Sequence, residues 1–313
     1  MKKELLIITG PTAVGKTTIS IQVAKQLNGE IISADSCQVY RGMNIGSAKI
    51  TKQEMEGVSH HLIDVLDPDE PCNVATFQEM AKVCVEDIIG RGKLPIVVGG
   101  TGFYIQALLY GIDFSNEEEQ TKIRREITSY YEQHGVDALF QRLEECDPVS
   151  ATMIHKNNIK RVIRAIEYYK CHGRCISLHN EEERLKESPY DFLYVVVTNK
   201  RDVLYNAINK RVDHMIVGGL EEEVRGLLAK GYTEEMTSMQ AIGYKEVVAY
   251  FKGECTREEM IERIKTNTRH FAKRQLTWFR REREVYQMDK SEYKEEASLV
   301  EDMMIEWYRR NTV

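Results

Sequence analysis

GPTAVGKT occupies residues 10–17 and matches the pattern G-x-x-x-x-G-K-[ST] with no mismatch. An apolar run at residues 5–8 precedes it and is typical of a buried strand, and residues 17–27 continue with helical periodicity. Backbone N–H groups of such a loop, at a helix N-terminus, bind phosphate oxygens. We predict that the loop binds a diphosphate or nucleotide through Gly10, Pro11, Thr12, Ala13, Val14, Gly15, Lys16 and Thr17. Lys16 would add a positive charge, and the Thr17 hydroxyl would hold Mg2+.

The composition is that of an ordinary soluble globular protein, with 42% hydrophobic and 29% charged residues in 313. This length is sufficient for one large core or two smaller ones. The net charge of −6 argues against nucleic-acid binding, but the charges are segregated. Residues 263–281 carry seven Lys or Arg and no acid, whereas residues 117–119, 181–183 and 221–223 are all Glu. A locally basic segment of this kind can bind a phosphate backbone.

The seven cysteines are scattered along the chain, which is typical of thiols in a reducing cytosol. The N-terminal apolar run is too short for a signal peptide or a membrane span. We therefore expect a cytoplasmic protein that does not associate with membranes. No pattern in the sequence requires a dimer, and we expect a monomer.

Strand and helix patterns alternate along the N-terminal part of the chain. Strands are predicted at residues 5–9, 30–33, 94–98 and 192–198, and helices at residues 16–27, 76–91 and 299–309. The alternation predicts an α/β fold, a P-loop NTPase-like parallel sheet flanked by helices. Residues 117–185 are rich in charge and helix formers and show no strong strand pattern. We predict a core domain of residues 1–114 and 190–313, with C-terminal helices, and a mainly helical insertion domain of residues 115–189.

Three polar segments follow predicted strands at their carboxyl ends, where parallel sheets bind ligands. They are the phosphate loop, Asp35 after residues 30–33, and the turn 99–101 after residues 94–98. Asp35 is interpreted either as a general base or magnesium partner that faces the loop, or as a helix N-cap. The position of Thr101 opposite the loop favours a hydrogen bond to phosphate, and Arg211 is a candidate for bidentate phosphate contacts.

Several basic segments are candidates for RNA binding. Residues 263–281 interleave Lys and Arg with aromatic residues, so that cations neutralise phosphates while rings stack on bases. The alternative is an amphipathic helix that buries its aromatic side chains, and both descriptions can hold together. Arg161 and Arg164 share a helix face, and for them, as for Arg124, an ordinary solvent-exposed face is the alternative.

Seven strings together resemble one family, the bacterial tRNA dimethylallyltransferases, also called tRNA isopentenyltransferases. They are GPTAVGKT, ISADSCQVYRGMNIGSAK, HHLIDV, VVGGTGFY, IKRVIRAIEYY, QAIGYKE and TRHFAKRQLTWFR. They occur in the family's order and are spread along nearly the whole chain. The resemblance implies transfer of a dimethylallyl group from its diphosphate to the exocyclic amine of the adenosine 3′-adjacent to the anticodon in tRNA. Diphosphate is the other product, and magnesium is the implied cofactor.

The resemblance also implies roles for particular residues. Asp35 would accept the amine proton, while Lys16, Thr101 and Arg211 would stabilise the leaving diphosphate. Contacts with tRNA are implied for Asp35, Ser36, Cys37, Gln38, Thr101, Arg124, Lys160, Arg161, Val162, Ile163, Arg164, Gln240, Ala241, Ile242, Gly243, Tyr244, Lys245, Lys273, Arg274, Gln275, Leu276, Thr277, Trp278, Phe279 and Arg280.

Two other functions are consistent with the phosphate loop alone. A small-molecule or nucleotide kinase would explain the loop and the magnesium, but not the basic segment with its aromatic residues. A non-enzymatic RNA-binding switch would use a nucleotide only to change conformation, and its function would not depend on Asp35.

Overall fold

A computed structural model describes residues 2–112 and 117–311, without the side chains of residues 117–121, 184–185 and 311. Its strands are β1 Lys3–Thr9, β2 Gly29–Ala34, β3 His60–His61, β4 Leu94–Gly99, β5 Tyr190–Thr198 and β6 Val285–Asp289. Its α-helices are α1 Lys16–Gln26, α2 Val74–Gly90, α3 Gly102–Tyr110, α4 Glu117–Cys146, α5 Pro148–Met153, α6 Ile159–His172, α7 Ile176–Leu185, α8 Arg201–Val217, α9 Leu220–Ala229, α10 Tyr244–Phe251, α11 Arg257–Phe279 and α12 Glu296–Asn311. Within the described ranges, no helix has both the length and the apolar character needed to cross a membrane.

The six strands form one parallel sheet in the order β3-β2-β4-β1-β5-β6. Central strand β1 pairs with β4 on one side and β5 on the other, and the side chains of residues 5–8 are fully buried. Because successive side chains point to opposite faces, this continuous burial requires cover on both faces of the sheet. The predicted parallel sheet flanked by helices is confirmed.

The sequence patterns predict helices and no strand after residues 192–198, which is wrong at residues 285–289. These residues form β6, which pairs with β5 from Tyr194 opposite Val285 to Thr198 opposite Asp289. β6 is an edge strand of five residues in which only Met288 is buried. So short and exposed a strand carries little hydrophobic alternation, and its pairing with β5 is decided by tertiary structure.

The chain divides into two compact units, residues 1–109 with 189–313 and residues 110–188. The first unit contains the sheet and the phosphate loop. The second unit contains α4, α5, α6 and α7, which enclose a small apolar core of their own. The predicted domain boundary between residues 114 and 115 lies outside the described residues.

The amino-terminal half of β2 carries a separate charged cluster. The buried Glu30 carboxylate accepts hydrogen bonds from Arg91, from Lys93 at 2.8 Å and from His61 at 2.7 Å. Arg91 in particular holds the pKa of Glu30 well below its usual range. A ring nitrogen of His60 lies 2.9 Å from the Val58 carbonyl oxygen, and burial lowers the pKa of His60. His60 and His61, whose roles the sequence leaves open, thus belong to the packing around β3.

Candidate active site

The phosphate loop connects the carboxyl end of β1 to the first turn of α1, and two glycines determine its path. Gly10 has φ +151°, and a Cβ added there would lie 2.2 Å from the Val197 carbonyl oxygen of β5. Gly15 is the N-cap of α1 with φ +94°, in the left-handed region. Neither position accepts a side chain without strain. The loop therefore presents backbone N–H groups at a helix N-terminus, the arrangement that binds phosphate.

Lys16 begins α1 and directs its ammonium group into the loop. Its Nζ donates to the carbonyl oxygen of Gly10 at 2.9 Å and to that of Pro11 at 3.0 Å. Burial, together with the nearby charge of Arg211, lowers the pKa of Lys16 to about 8, while the charge of Asp35 opposes this shift. Lys16 is therefore a cation whose charge is lost just above neutral pH unless a bound anion restores it.

Asp35 follows the carboxyl end of β2 and fits both interpretations drawn from the sequence. Its Oδ1 accepts hydrogen bonds from the backbone N–H of Cys37 at 2.8 Å and of Gln38 at 3.3 Å, which is a capping role in a turn. Its Oδ2 has no hydrogen-bond partner within the described part of the chain. Its charge opposes the lowering of the pKa values of Lys16 and Arg211, so the carboxylate lies near these cations.

Arg211 reaches the site from α8, far along the chain. Its Nη2 donates to the Ser47 carbonyl oxygen at 3.4 Å, and the Gln38 amide donates to the same oxygen at 3.5 Å. Burial lowers the pKa of Arg211, and the charge of Asp35 raises it. Arg211 is thus a half-buried cation that lies near Lys16 and Asp35.

The other polar residues after β2 are placed within the same turn. Ser36 is half-buried, as is Cys37, whose thiol has a pKa raised by burial to about 12. The thiol therefore stays protonated at neutral pH and is a poor nucleophile. Gln38 also donates to the Ala48 carbonyl oxygen at 3.3 Å, so its amide holds the loop of residues 44–48 against β2.

Thr101 lies immediately before α3, directly beside the end of β2. Its backbone N–H donates to the Ala34 carbonyl oxygen at 3.2 Å. A Cβ at Gly99 would lie 2.1 Å from the same oxygen, so this turn requires glycine. The structure thus brings Thr101, Asp35 and the phosphate loop to one edge of the sheet.

Thr17 provides a site that fits magnesium. It is exposed in the first turn of α1, and its hydroxyl has no hydrogen-bond partner among the described residues. Mg2+ binds oxygen and usually takes one or two protein ligands together with substrate phosphates and water. The Thr17 hydroxyl and the carboxylate of Asp35 supply oxygen of the right kind beside the loop.

The basic segment includes most of α11 and the two residues that follow it, and its two faces separate. Within residues 272–280, the exposed residues are Lys273, Arg274, Thr277 and Arg280. The buried residues of this stretch are Ala272, Gln275 and Phe279. The side chains of Gln275 and Phe279 face the protein interior, and RNA contact at these two positions stays a prediction. Leu276 and Trp278 are only partly accessible. α11 is thus an amphipathic helix that also exposes a basic face.

The QAIGYKE segment is divided in the same way. Gln240 and Lys245 are exposed, and Ala241 and Ile242 are half-buried. Gly243 and Tyr244 are buried, and RNA contact at these two positions stays a prediction.

Tyr244 and Glu223 instead hold the loop that carries Ser47. The Tyr244 hydroxyl donates to Glu223 Oε1 at 2.7 Å, and Glu223 Oε2 accepts the backbone N–H of Asn44 at 2.9 Å and of Ile45 at 2.8 Å. The sequence does not predict this role of Glu223, because three consecutive Glu residues at 221–223 are typical of a solvent-exposed segment.

In the helical unit, α6 begins with Lys160 and Arg161 exposed, Ile163 half-buried and Val162 fully buried. RNA contact at Val162 stays a prediction, and its side chain lies in the core of this unit.

Arg124 of α4 and Arg164 of α6 share one buried carboxylate in that unit. Glu167 Oε2 accepts from Arg124 at 2.8 Å and from Arg164 at 3.0 Å. These arginines are 40 residues apart in the sequence, and Glu167 brings their guanidinium groups together.

The fold and the site together define the class of protein to which the chain belongs. A parallel sheet with a phosphate loop after its central strand, and with Lys16, Arg211 and Asp35 at the same edge, is a P-loop α/β protein built to hold a phosphate compound. Residues 38–282 match the family model described as IPP transferase, and residues 3–66 match the one described as Isopentenyl transferase. The chain belongs to the tRNA dimethylallyltransferase (IPP transferase) family.

Similarity to individual relatives extends over nearly the full length. The chain is 53% identical over 300 residues to a tRNA dimethylallyltransferase of Lachnoclostridium phytofermentans, covering 96% of each sequence. It is similar to the crystal structure of a tRNA delta(2)-isopentenylpyrophosphate transferase from Staphylococcus epidermidis, with 43% identity, a TM-score of 0.73 and coverage of 99% and 100%. A eukaryotic dimethylallyltransferase acting on tRNA gives a TM-score of 0.76 at 32% identity, covering 92% of this chain and 74% of that one.

Proposed function

We propose that the chain transfers a dimethylallyl group from dimethylallyl diphosphate to the exocyclic amine of the adenosine 3′-adjacent to the anticodon in tRNA. The observation that carries the proposal is the placement of the phosphate loop, Asp35 and Arg211 at one sheet edge in a member of this family. The names of the relatives, as enzymes acting on tRNA, support the RNA substrate.

The residues of the loop account for the donor half of the reaction. The bond between the allylic carbon and the diphosphate oxygen breaks, and its electron pair leaves with the diphosphate. Lys16, the loop N–H groups and Arg211 are donors that stabilise this growing negative charge, and Thr101 adds a hydrogen bond. The Thr17 hydroxyl would hold magnesium, which would supply further charge neutralisation.

Asp35 accounts for the acceptor half. The adenine amine is a weak nucleophile because its lone pair is delocalised into the ring. As the new nitrogen–carbon bond forms, the amine must lose a proton, and Oδ2 of Asp35 is the basic atom available to accept it. The base must leave its stack to reach such a site. The exposed cations of α11 are placed to hold the RNA backbone while it does so.

Labelled donors distinguish this function from the alternatives. The protein is incubated with radiolabelled dimethylallyl diphosphate, or with ATP labelled at the γ-phosphate, in the presence and absence of an anticodon stem-loop RNA. We expect label from the prenyl donor in the RNA, and none when the acceptor adenosine is replaced by guanosine. ATP turnover without prenyl transfer would instead establish a kinase, and no turnover of either donor would favour an RNA-binding switch.

The exposed face of α11 is tested by the salt dependence of RNA binding. Lys273→Ala combined with Arg274→Ala is expected to weaken binding and to reduce the slope of log K against log salt by about one to two, since each lost phosphate contact removes roughly 0.7–0.9. The measurement is a filter-binding titration at several salt concentrations.

The matched control is Lys52→Ala with Lys294→Ala, which removes the same charge from two other exposed positions. An unchanged slope in the α11 variant, or an equal change in the control, would mean that this face does not contact phosphates.

A further inference from the structure

The structure carries a link between the RNA-binding helix and the phosphate loop that the proposed reaction does not use. We propose that Gln275 is a positioning residue, which couples RNA binding on α11 to diphosphate binding in the loop of residues 10–17. The inference rests on the proposed function, in that it takes α11 to bind RNA and the loop to bind a diphosphate.

Gln275 is 6% exposed and contacts both ligand-binding turns with one side chain. Its Oε1 accepts the backbone N–H of Thr12, in the phosphate loop, at 2.9 Å. Its Nε2 donates to the carbonyl oxygen of Gly100, in the turn before Thr101, at 2.9 Å. These partners lie 263 and 175 residues away in the sequence, so the amide joins three distant segments.

At neutral pH, a primary amide is the side-chain group of this length that both accepts from Thr12 and donates to Gly100. A carboxylate of the same length accepts from Thr12 but faces the Gly100 carbonyl with a second acceptor, and an apolar side chain leaves both backbone groups without a partner. An unpartnered buried polar group is unfavourable, so either change would let the two turns move apart. The Thr12 N–H therefore donates to Gln275 of α11 and is not available to a bound phosphate. This hydrogen bond also fixes the position of the phosphate loop relative to α11.

α11 packs so closely against the turn of residues 99–101 and the start of α3 that a small displacement of the helix would move them. A Cβ at Gly100 would lie 2.2 Å from Gln275 Nε2, and a Cβ at Gly102 would lie 2.2 Å from the Trp278 indole. Gln275 and Trp278 are three residues apart and therefore share one face of the helix. Lys273, on the opposite face, and Arg274, beside it, are exposed and occupy the same turn of α11. A cation held by RNA and an amide holding the loop thus lie within one helical turn.

Coupling of this kind is reciprocal, because the factor by which RNA tightens diphosphate binding must equal the factor for the reverse effect. The test measures the affinity of the full chain for an anticodon stem-loop RNA with and without saturating inorganic pyrophosphate and Mg2+. We expect pyrophosphate to change RNA affinity by at least about fivefold in the wild type. In Gln275→Met we expect that factor to fall to about one, while RNA affinity without pyrophosphate stays within about threefold, since Lys273 and Arg274 remain.

Two further variants separate positioning from general destabilisation. Gln78→Met also removes a buried glutamine, whose amide donates to the Ala107 carbonyl oxygen in another part of the core, and it should keep the coupling. Gln275→Glu should lose the coupling at neutral pH and regain it in acid, because a protonated carboxyl both accepts from Thr12 and donates to Gly100. If the Gln275→Met variant does not fold, recovery of the coupling by Gln275→Glu in acid still tests the inference.

The outcomes are distinct from those of the labelled-donor assay. Coupling that persists in both Gln275 variants, or that is absent from the wild type, overturns the inference even where prenyl transfer is observed. Coupling that disappears equally in Gln78→Met also overturns it, since general loosening then explains the loss. Coupling that depends on Gln275 in a protein without prenyl transfer supports the inference and refutes the proposed function instead.

Discussion

Asp35→Asn is expected to slow prenyl transfer by about 10²- to 10⁴-fold, the usual contribution of a general base, while tRNA affinity stays within a few-fold. The substitution keeps the shape of the side chain and an oxygen that accepts the N–H groups of Cys37 and Gln38. It therefore preserves the turn and removes only the basic oxygen. Single-turnover measurement of label transfer at saturating RNA gives the rate of the chemical step directly.

Comparison with Asp35→Ala separates the two roles of the residue. Alanine removes both the base and the cap, so it should lose stability as well as activity, by about 1 kcal/mol for the cap. Asp69→Asn, at an exposed carboxylate, is the control for a change of charge alone. If Asp35→Asn transfers the prenyl group at the wild-type rate, Asp35 only caps the turn and another group accepts the proton.

Arg211→Met is expected to lower kcat/KM for the prenyl donor by about 10²- to 10³-fold, because it removes one preorganised donor to the leaving diphosphate. It should also change the pH profile. In the wild type, kcat/KM should fall above about pH 8 as Lys16 loses its proton. The charge of Arg211 lowers the pKa of Lys16, so removing it should move this decline to higher pH.

The Asp35→Asn variant should move the same decline in the opposite direction, because the charge of Asp35 raises the pKa of Lys16. Lys210→Met, which removes an exposed cation from the same helix, should leave the decline in place. Identical pH profiles in the wild type, Arg211→Met and Asp35→Asn would show that these two charges do not act on Lys16.

The carboxyl-end rule for parallel sheets made part of the site predictable. The loop, Asp35 and Thr101 each follow a strand whose apolar residues are contiguous in the sequence, and such strands end at a common edge. Arg211 could be named only as a candidate, because a helix position carries no local sign of what it faces. RNA contact is implied for Gln275 because it lies within the string KRQLTWFR. In the structure its amide is buried and holds two turns of the protein.

Residue order alone predicts the phosphate loop, the parallel sheet, the basic segment and the family, because each depends on a short window of the chain or on strings that the family shares. Which polar side chains face the ligand loops, and which hold the protein together, depends on the folded arrangement. Glu223 and Gln275 find their partners across long separations in the sequence, and so does Glu167 with Arg124. A buried polar atom must be paired by whatever the fold brings within hydrogen-bond distance, and no local pattern records that partner.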